Sequence, residues 1–364
     1  MFQGIKDWYA KRNEKREADG YEAVFFNDEP TTTDAVVFVH GLGGHFRDTW
    51  KKFPELLYHD PDIPRLDILL WGYNSSFLPG VNGVSTEARR LMSDMRLLFE
   101  QGEHLFFVGH SMGGLAILEG LVDELTFLRG AQTPIKLSRH IVLYATPVHG
   151  NIAAAAAKYS LGLFSKTRWM LNKQIKDLAT GPFVQDLLLD VTNRIYSPTI
   201  APGQAAGKYE IPITACVGTR DRVVSQASAK GVFSRNPPVL LDHGHFAIKE
   251  PRSRDDRRYL PLRNILLAHY SQWFRDIAAN VVATPPDRRA ATIVLSRCRH
   301  AFVHRLRARP DLAFDSLDVQ RQEVLLREFM SIACTTAIEA PNEPFTEVLK
   351  LALFEFGQPD DGTG

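Results

Sequence analysis

Six short apolar runs constrain this chain more than any other feature. They are AVVFVH (35–40), LDILLWGY (66–73), HLFFVGH (104–110), HIVLYATP (140–147), ITACVG (213–218) and PVLLD (238–242). None of them alternates polar with apolar residues. Strands that are apolar on both sides are buried on both sides, which predicts a parallel sheet covered by helices. The segments between the runs carry a helical pattern. In STEARRLMSDMRLLFEQG, Ser85 is placed to cap and Glu87 falls in the first turn. Ala88, Leu91, Met92, Met95, Leu98 and Phe99 then recur at i, i+3, i+4, i+7 spacing. Strand alternating with helix in this way predicts an open α/β fold.

Residues 151–210 carry no strand signal and contain the helical patterns NIAAAAAKYSLGLF and TRWMLNKQIKDLATGPFVQDLLLDV. A connection of this length is a lid insertion or packing material. Its Leu161, Phe164, Trp169 and Met170 either line an apolar substrate pocket or hold the insertion on the core. Pro285 and Pro286 stop the helical pattern before them. The expected first domain therefore spans 21–284, and a small helical module spans 287–356. In that module Leu295, Cys298, Phe302 and Leu306 share one stripe. Residues 1–20 form an amphipathic pattern with Phe2, Ile5, Trp8 and Tyr9 on one side. Such a helix either lies in a membrane interface or docks on its own domain.

Composition narrows the function classes. Lys+Arg 43 against Asp+Glu 42 leaves a net charge of +1, which offers no electrostatic pull toward nucleic acid. The odd number of cysteines, Cys216, Cys298 and Cys334, reads as buried reduced thiols in a cytoplasmic protein. No run approaches the roughly 18 apolar residues of a membrane span, and the N-terminus lacks the apolar core of a signal peptide. No HExxH or CxxC is present, so no metal and no other cofactor is expected.

Four motifs carry chemistry. FFVGHSMGGLAIL contains G-x-S-x-G at Gly109, Ser111 and Gly113, between a buried strand and an apolar helix. That is the setting of a nucleophile elbow, and it makes Ser111 the candidate nucleophile. VFVHGLGGHFRDTW carries the end of the first run, at His40-Gly41, into a flexible loop. An oxyanion needs fixed N–H donors, and the amides of Leu42 and Met112 are the candidates. His40 is expected to anchor this loop rather than transfer protons. ITACVGTRDRVVS places Asp221 just past a strand, where an acid can hold the Nδ1–H of a histidine. LLDHGHFAIKEP offers two bases, His243 and His245. Asp242 is a rival acid, but it adjoins both histidines too closely to buttress either ring. The chain order Ser, Asp, His differs from that of the other serine-hydrolase folds.

Together these pieces resemble the α/β-hydrolases. More narrowly, they are similar to serine esterases and lipases related to GPI inositol-deacylases. The resemblance rests on VVFVHGLGGHFRDTW, LLWGYNSS, LFFVGHSMGG, IVLYATPVHG, VGTRDRVVS and HFAIKEP, and covers residues 20–280. It implies a mostly parallel central sheet flanked by helices, with a helical lid insertion. It also implies hydrolysis of a carboxylic ester, often of a lipid, and it makes His245 the base. Gly244 would then supply the tight turn that aims His245 back toward the elbow. The family often has KP where this chain has KEP. The C-terminal module loosely resembles helical adaptor modules beside bacterial effector enzymes, which implies a protein partner; as a plain extension it would only pack on the domain. The alternatives to an apolar or lipid ester are a thioester or a polar small ester, or an adaptor role without catalysis.

Overall fold

The computed structural model describes residues 34–75, 82–100, 102–125, 133–148, 177, 181–195, 210–224 and 237–356. The expected N-terminal helix lies outside these residues, as do Leu161, Phe164, Trp169 and Met170. All six apolar runs form strands: β1 (Asp34–Val39), β2 (Asp67–Trp71), β3 (His104–His110), β4 (Ser138–Tyr144), β5 (Ile213–Gly218) and β6 (Val239–Leu241). They make one sheet in the order β2-β1-β3-β4-β5-β6, and every pairing is parallel. Helices follow in chain order: α1 (Phe53–Tyr58), α2 (Val84–Leu98), α3 (Met112–Glu124), the single turn α4 (Pro134–Leu137), α5 (Gly181–Asp190), α6 (Leu260–Val281), α7 (Arg288–Arg307), α8 (Val319–Glu339) and α9 (Phe345–Glu355).

The period of two in a strand separates the two faces of the sheet. Val37, Val39, Leu69, Phe107, Ile141 and Leu143 join one core with α2, α3 and α5. The alternate residues face an aromatic group in which Phe38 meets Trp50 and Phe53, and Phe53 meets Tyr144 and Tyr259. Both faces of β1 are fully covered, as its unbroken apolarity predicts.

Helix α2 departs from the expected cap. Ser85 lies inside the helix and its hydroxyl donates to Glu119 Oε1 at 2.9 Å. Gly83 is the N-cap and makes no side-chain cap bond. The carboxylate of Asp177 takes that role, accepting the Val84 N–H at 2.9 Å, where a negative charge also suits the helix dipole. Within the expected insertion, Val184, Leu187 and Leu188 of α5, with Val191 and Ile195 just after it, are buried in the sheet's core.

Contacts divide the chain into two compact units, with the described residues up to Pro54 and those from 67 to 261 in the first. Residues 55–66 and those from Leu262 onward form the second. Its core joins Phe274 and Ala278 of α6 to Phe302 of α7, Phe329 of α8 and Leu349 of α9. Most of α6 thus groups with the C-terminal module, although the sequence pattern places the break after it, at Pro285. Asp287 and Asp318 cap α7 and α8 by accepting first-turn amides. Arg263 binds Asp60 at 2.8 Å and Asp62 at 2.5 Å, and Arg305 also pairs with Asp62. Cys216, Cys298 and Cys334 are buried and free. Among the described residues no helix is long and apolar enough to cross a membrane.

Candidate active site

In a parallel sheet the loops after the strands gather at one edge. Ser111 follows β3, Asp221 follows β5 and His245 follows β6. The structure brings the three together. Asp221 Oδ2 lies 2.9 Å from His245 Nδ1, and His245 Nε2 lies 3.2 Å from Ser111 Oγ. The other carboxylate oxygen of Asp221 accepts the Val223 and Val224 amides at 2.7 and 2.9 Å. A carboxylate accepts only, so Nδ1 carries the proton and Nε2 is left to accept the Ser111 hydroxyl. The acid and imidazole side chains are almost fully buried. A hydroxyl, an imidazole and a carboxylate linked this way are the parts of a nucleophile, a base and an orienting acid.

Ser111 sits on a strained turn, with φ 53° and ψ −124°. A non-glycine residue held there costs about 1–3 kcal/mol. Its amide donates to Tyr144 O at 3.0 Å, and its carbonyl accepts from the Gly114 amide at 3.1 Å. The strained turn lets α3 leave almost against the end of β1. A Cβ on Gly113 would come within 2.3 Å of the carbonyl oxygens of Val39 and His40. A Cβ on Gly41 would come within 2.8 Å of Ser111 Cβ, so the loop carrying Leu42 runs beside the hydroxyl. Among the described residues, neither the Leu42 nor the Met112 amide donates to a protein acceptor.

The rival residues lie elsewhere. Asp242 is exposed and ion-paired with Arg220, whose Nε donates to it at 2.7 Å. Among the described residues His243 Nδ1 has no hydrogen-bond partner. Gly244 is not the turn residue expected. Gly43 is the only positive-φ glycine among the described residues, and a Cβ on Gly244 would meet nothing closer than 3.6 Å.

Instead, three buried cations or donors set the path of the loop around His245. His110 Nε2–H donates to His245 O at 2.9 Å. Burial holds the His110 pKa well below its ordinary value, helped by the nearby His245 and Lys249, so its ring is neutral. Lys249 Nζ donates to Phe246 O at 3.0 Å and to Glu250 Oε1 at 2.9 Å. Arg258 Nη1 donates to Ala247 O at 2.8 Å and is itself gripped by Asp256. The Arg258 guanidinium holds the Asp256 carboxyl well below the usual range. Motif reading misses all three, because their partners are backbone carbonyls. The basic residue before the Pro of KEP was the one available signal for Lys249.

A partly buried Ser–His–Asp line on a strand–elbow–helix turn, at the carboxyl edge of a parallel sheet, defines the class. The chain belongs to the alpha/beta hydrolase family, whose sequence profile matches residues 36–312. The match is to the family at large. Similar solved structures include an esterase of Pyrococcus furiosus, at 16% identity and TM-score 0.45, covering 68% of this chain and 89% of that one. A monoacylglycerol lipase of Paleococcus ferrophilus is 14% identical with TM-score 0.44, covering 68% and 98%. A lipase of Bacillus licheniformis is 14% identical with TM-score 0.41, covering 70% and 97%. No curated protein sequence matches the chain.

Proposed function

We propose that this protein is a serine hydrolase that cleaves a carboxylic ester through an acyl-enzyme. The observation that carries the reading is the hydrogen-bonded line from Asp221 through His245 to a serine on a strained elbow. In the first step Ser111 Oγ attacks the ester carbonyl carbon while its proton passes to His245 Nε2. Asp221 stabilises the imidazolium across Nδ1–H. The carbonyl oxygen becomes an oxyanion held by the amides of Leu42 and Met112, each worth about 3–4 kcal/mol to such a transition state. The tetrahedral species collapses, the C–O bond to the alcohol breaks, and the alcohol leaves with the proton from Nε2. Water then gives a proton to Nε2 and attacks the acyl carbon. Collapse releases the carboxylic acid and returns the proton to Ser111.

The apolar composition of the 151–210 insertion, with Leu161, Phe164, Trp169 and Met170 in it, favours an apolar acyl group as substrate. A fluorophosphonate probe is expected to label the wild type at Ser111 and to leave Ser111→Ala unlabelled. Folded wild-type protein that stays unlabelled would sink the reading. Across p-nitrophenyl esters, the apolar-acyl reading predicts that octanoate is preferred to acetate, and the reverse preference would contradict it.

A further inference from the structure

The segment Gly72–Ser75, just beyond β2, takes no part in the steps above, yet it is tied closely to the loop after β1. The Tyr73 N–H donates to His40 Nε2 at 3.3 Å, and the Tyr73 hydroxyl donates to His40 O at 2.9 Å. The Gly43 N–H donates to Ser75 O at 2.7 Å, and the Ser75 hydroxyl returns a bond to Gly44 O at 3.1 Å. The rings of Tyr73 and His40 stack with centroids 4.5 Å apart and planes within 4°. Since Nε2 accepts, His40 Nδ1 carries the proton and donates to Gly41 O at 3.0 Å. His40, Tyr73 and Ser75 are all buried. Burial lowers the His40 pKa to about 4 and raises that of Tyr73, so the ring stays neutral and the phenol stays a donor.

These bonds hold the loop on both sides of Leu42, at His40–Gly41 before it and at Gly43–Gly44 after it. Gly41 is the residue that abuts Ser111. An oxyanion donor gives its full effect only when it is fixed before charge develops. A loose loop must instead be ordered during the reaction, which costs backbone conformational entropy. We propose that Tyr73 and Ser75 are positioning residues that fix the Leu42 amide, Tyr73 acting through His40 and Ser75 through Gly43 and Gly44. The proposal rests on the serine-esterase reading above. Neither side chain takes part in proton transfer.

The test uses the full chain and p-nitrophenyl butyrate, with Tyr73→Phe, Ser75→Ala and the double variant. Both acylation and deacylation pass through an oxyanion, so a loosened donor slows both. The expected result is a fall in kcat of about 10- to 100-fold for Tyr73→Phe, short of the loss on deleting a donor outright. Ser75→Ala is expected to lose less, and the double variant more. KM should stay within about twofold because both steps slow together. The pH dependence of kcat/KM should keep its midpoint, since His245 and Asp221 are untouched. Circular dichroism and the unfolding midpoint establish that each variant is folded. If Tyr73→Phe does not fold, Ser75→Ala carries the test. Folded variants with wild-type kcat would overturn the proposal, as would a loss accompanied by a shifted pH midpoint. If instead the wild type neither hydrolyses the ester nor takes up a fluorophosphonate at Ser111, the esterase reading fails and this proposal falls with it.

Discussion

His110 illustrates how one side chain can govern a site without touching the reacting atoms. It precedes the candidate nucleophile in sequence, and its ring lies 4.9 Å from that of His245. Its Nε2–H holds the backbone carbonyl of the proposed base. Removing that donor leaves a buried carbonyl unpaired, at a cost of about 1–3 kcal/mol, and frees the imidazole to move. His110→Leu is therefore expected to lower kcat/KM at least about tenfold, whereas His110→Gln, which keeps an N–H, should recover much of the loss. Equal activities for the two variants would deny His110 this role. In the sequence His110 is merely the variable residue between Gly109 and Ser111. Its partner is 135 positions away and is a carbonyl that every residue has, so no pattern of residue types could reveal it. Ser111 and Asp221 stood out because such chemistry needs particular side chains just after strands, whereas the residues alone left both His243 and His245 open and only the family resemblance singled out His245.

The elbow shows the same economy in secondary structure. Glycine near the start of a helix ordinarily weakens it by about 1 kcal/mol relative to alanine. Gly113 in α3 reverses that sign, since a Cβ there would press on two carbonyl oxygens at 2.3 Å. Overlap of that kind forces backbone shifts that cost about 1–3 kcal/mol. Gly113→Ala is expected to lower the urea midpoint, and a raised midpoint would contradict the packing. The strands were readable because burial on both faces leaves continuous apolar runs. The start of α2 was not, because the group at its N-terminus, Asp177, lies 93 positions from the amide it accepts. The path of the loop around His245 was equally hidden. It depends on donors from His110, Lys249 and Arg258 rather than on Gly244.

For the molecule as a whole, several histidines are folded away in neutral form. Burial lowers the pKa of His40, His140 and His300 to about 4. Unfolded histidine titrates near 6.5. As pH falls below that value, the unfolded chain binds protons that the folded chain refuses, so stability declines between pH 6.5 and about 4 and levels off below. A shift of this size is worth up to about 3 kcal/mol for a well-buried ring such as His40. The urea midpoint is expected to be clearly lower at pH 5 than at pH 7.5, and a flat profile over that range would contradict the burial of these rings. The division into two units was only partly legible. The apolar stripe of α6 announces a buried face without saying which core receives it, and the structure gives Phe274 and Ala278 to the C-terminal one. Residues 55–66 join that unit through Asp60 and Asp62 and arginines more than 200 positions away, which no local pattern encodes.

If Ser111, His245 and Asp221 act as one unit, removing the base silences the nucleophile. The most direct test compares fluorophosphonate labelling of Ser111 in His245→Ala and His243→Ala, with labelling sites read by peptide mass spectrometry. Near-complete loss is expected in His245→Ala, with labelling close to wild type in His243→Ala. Retained labelling in His245→Ala, or loss confined to His243→Ala, would show that the three do not act as one unit.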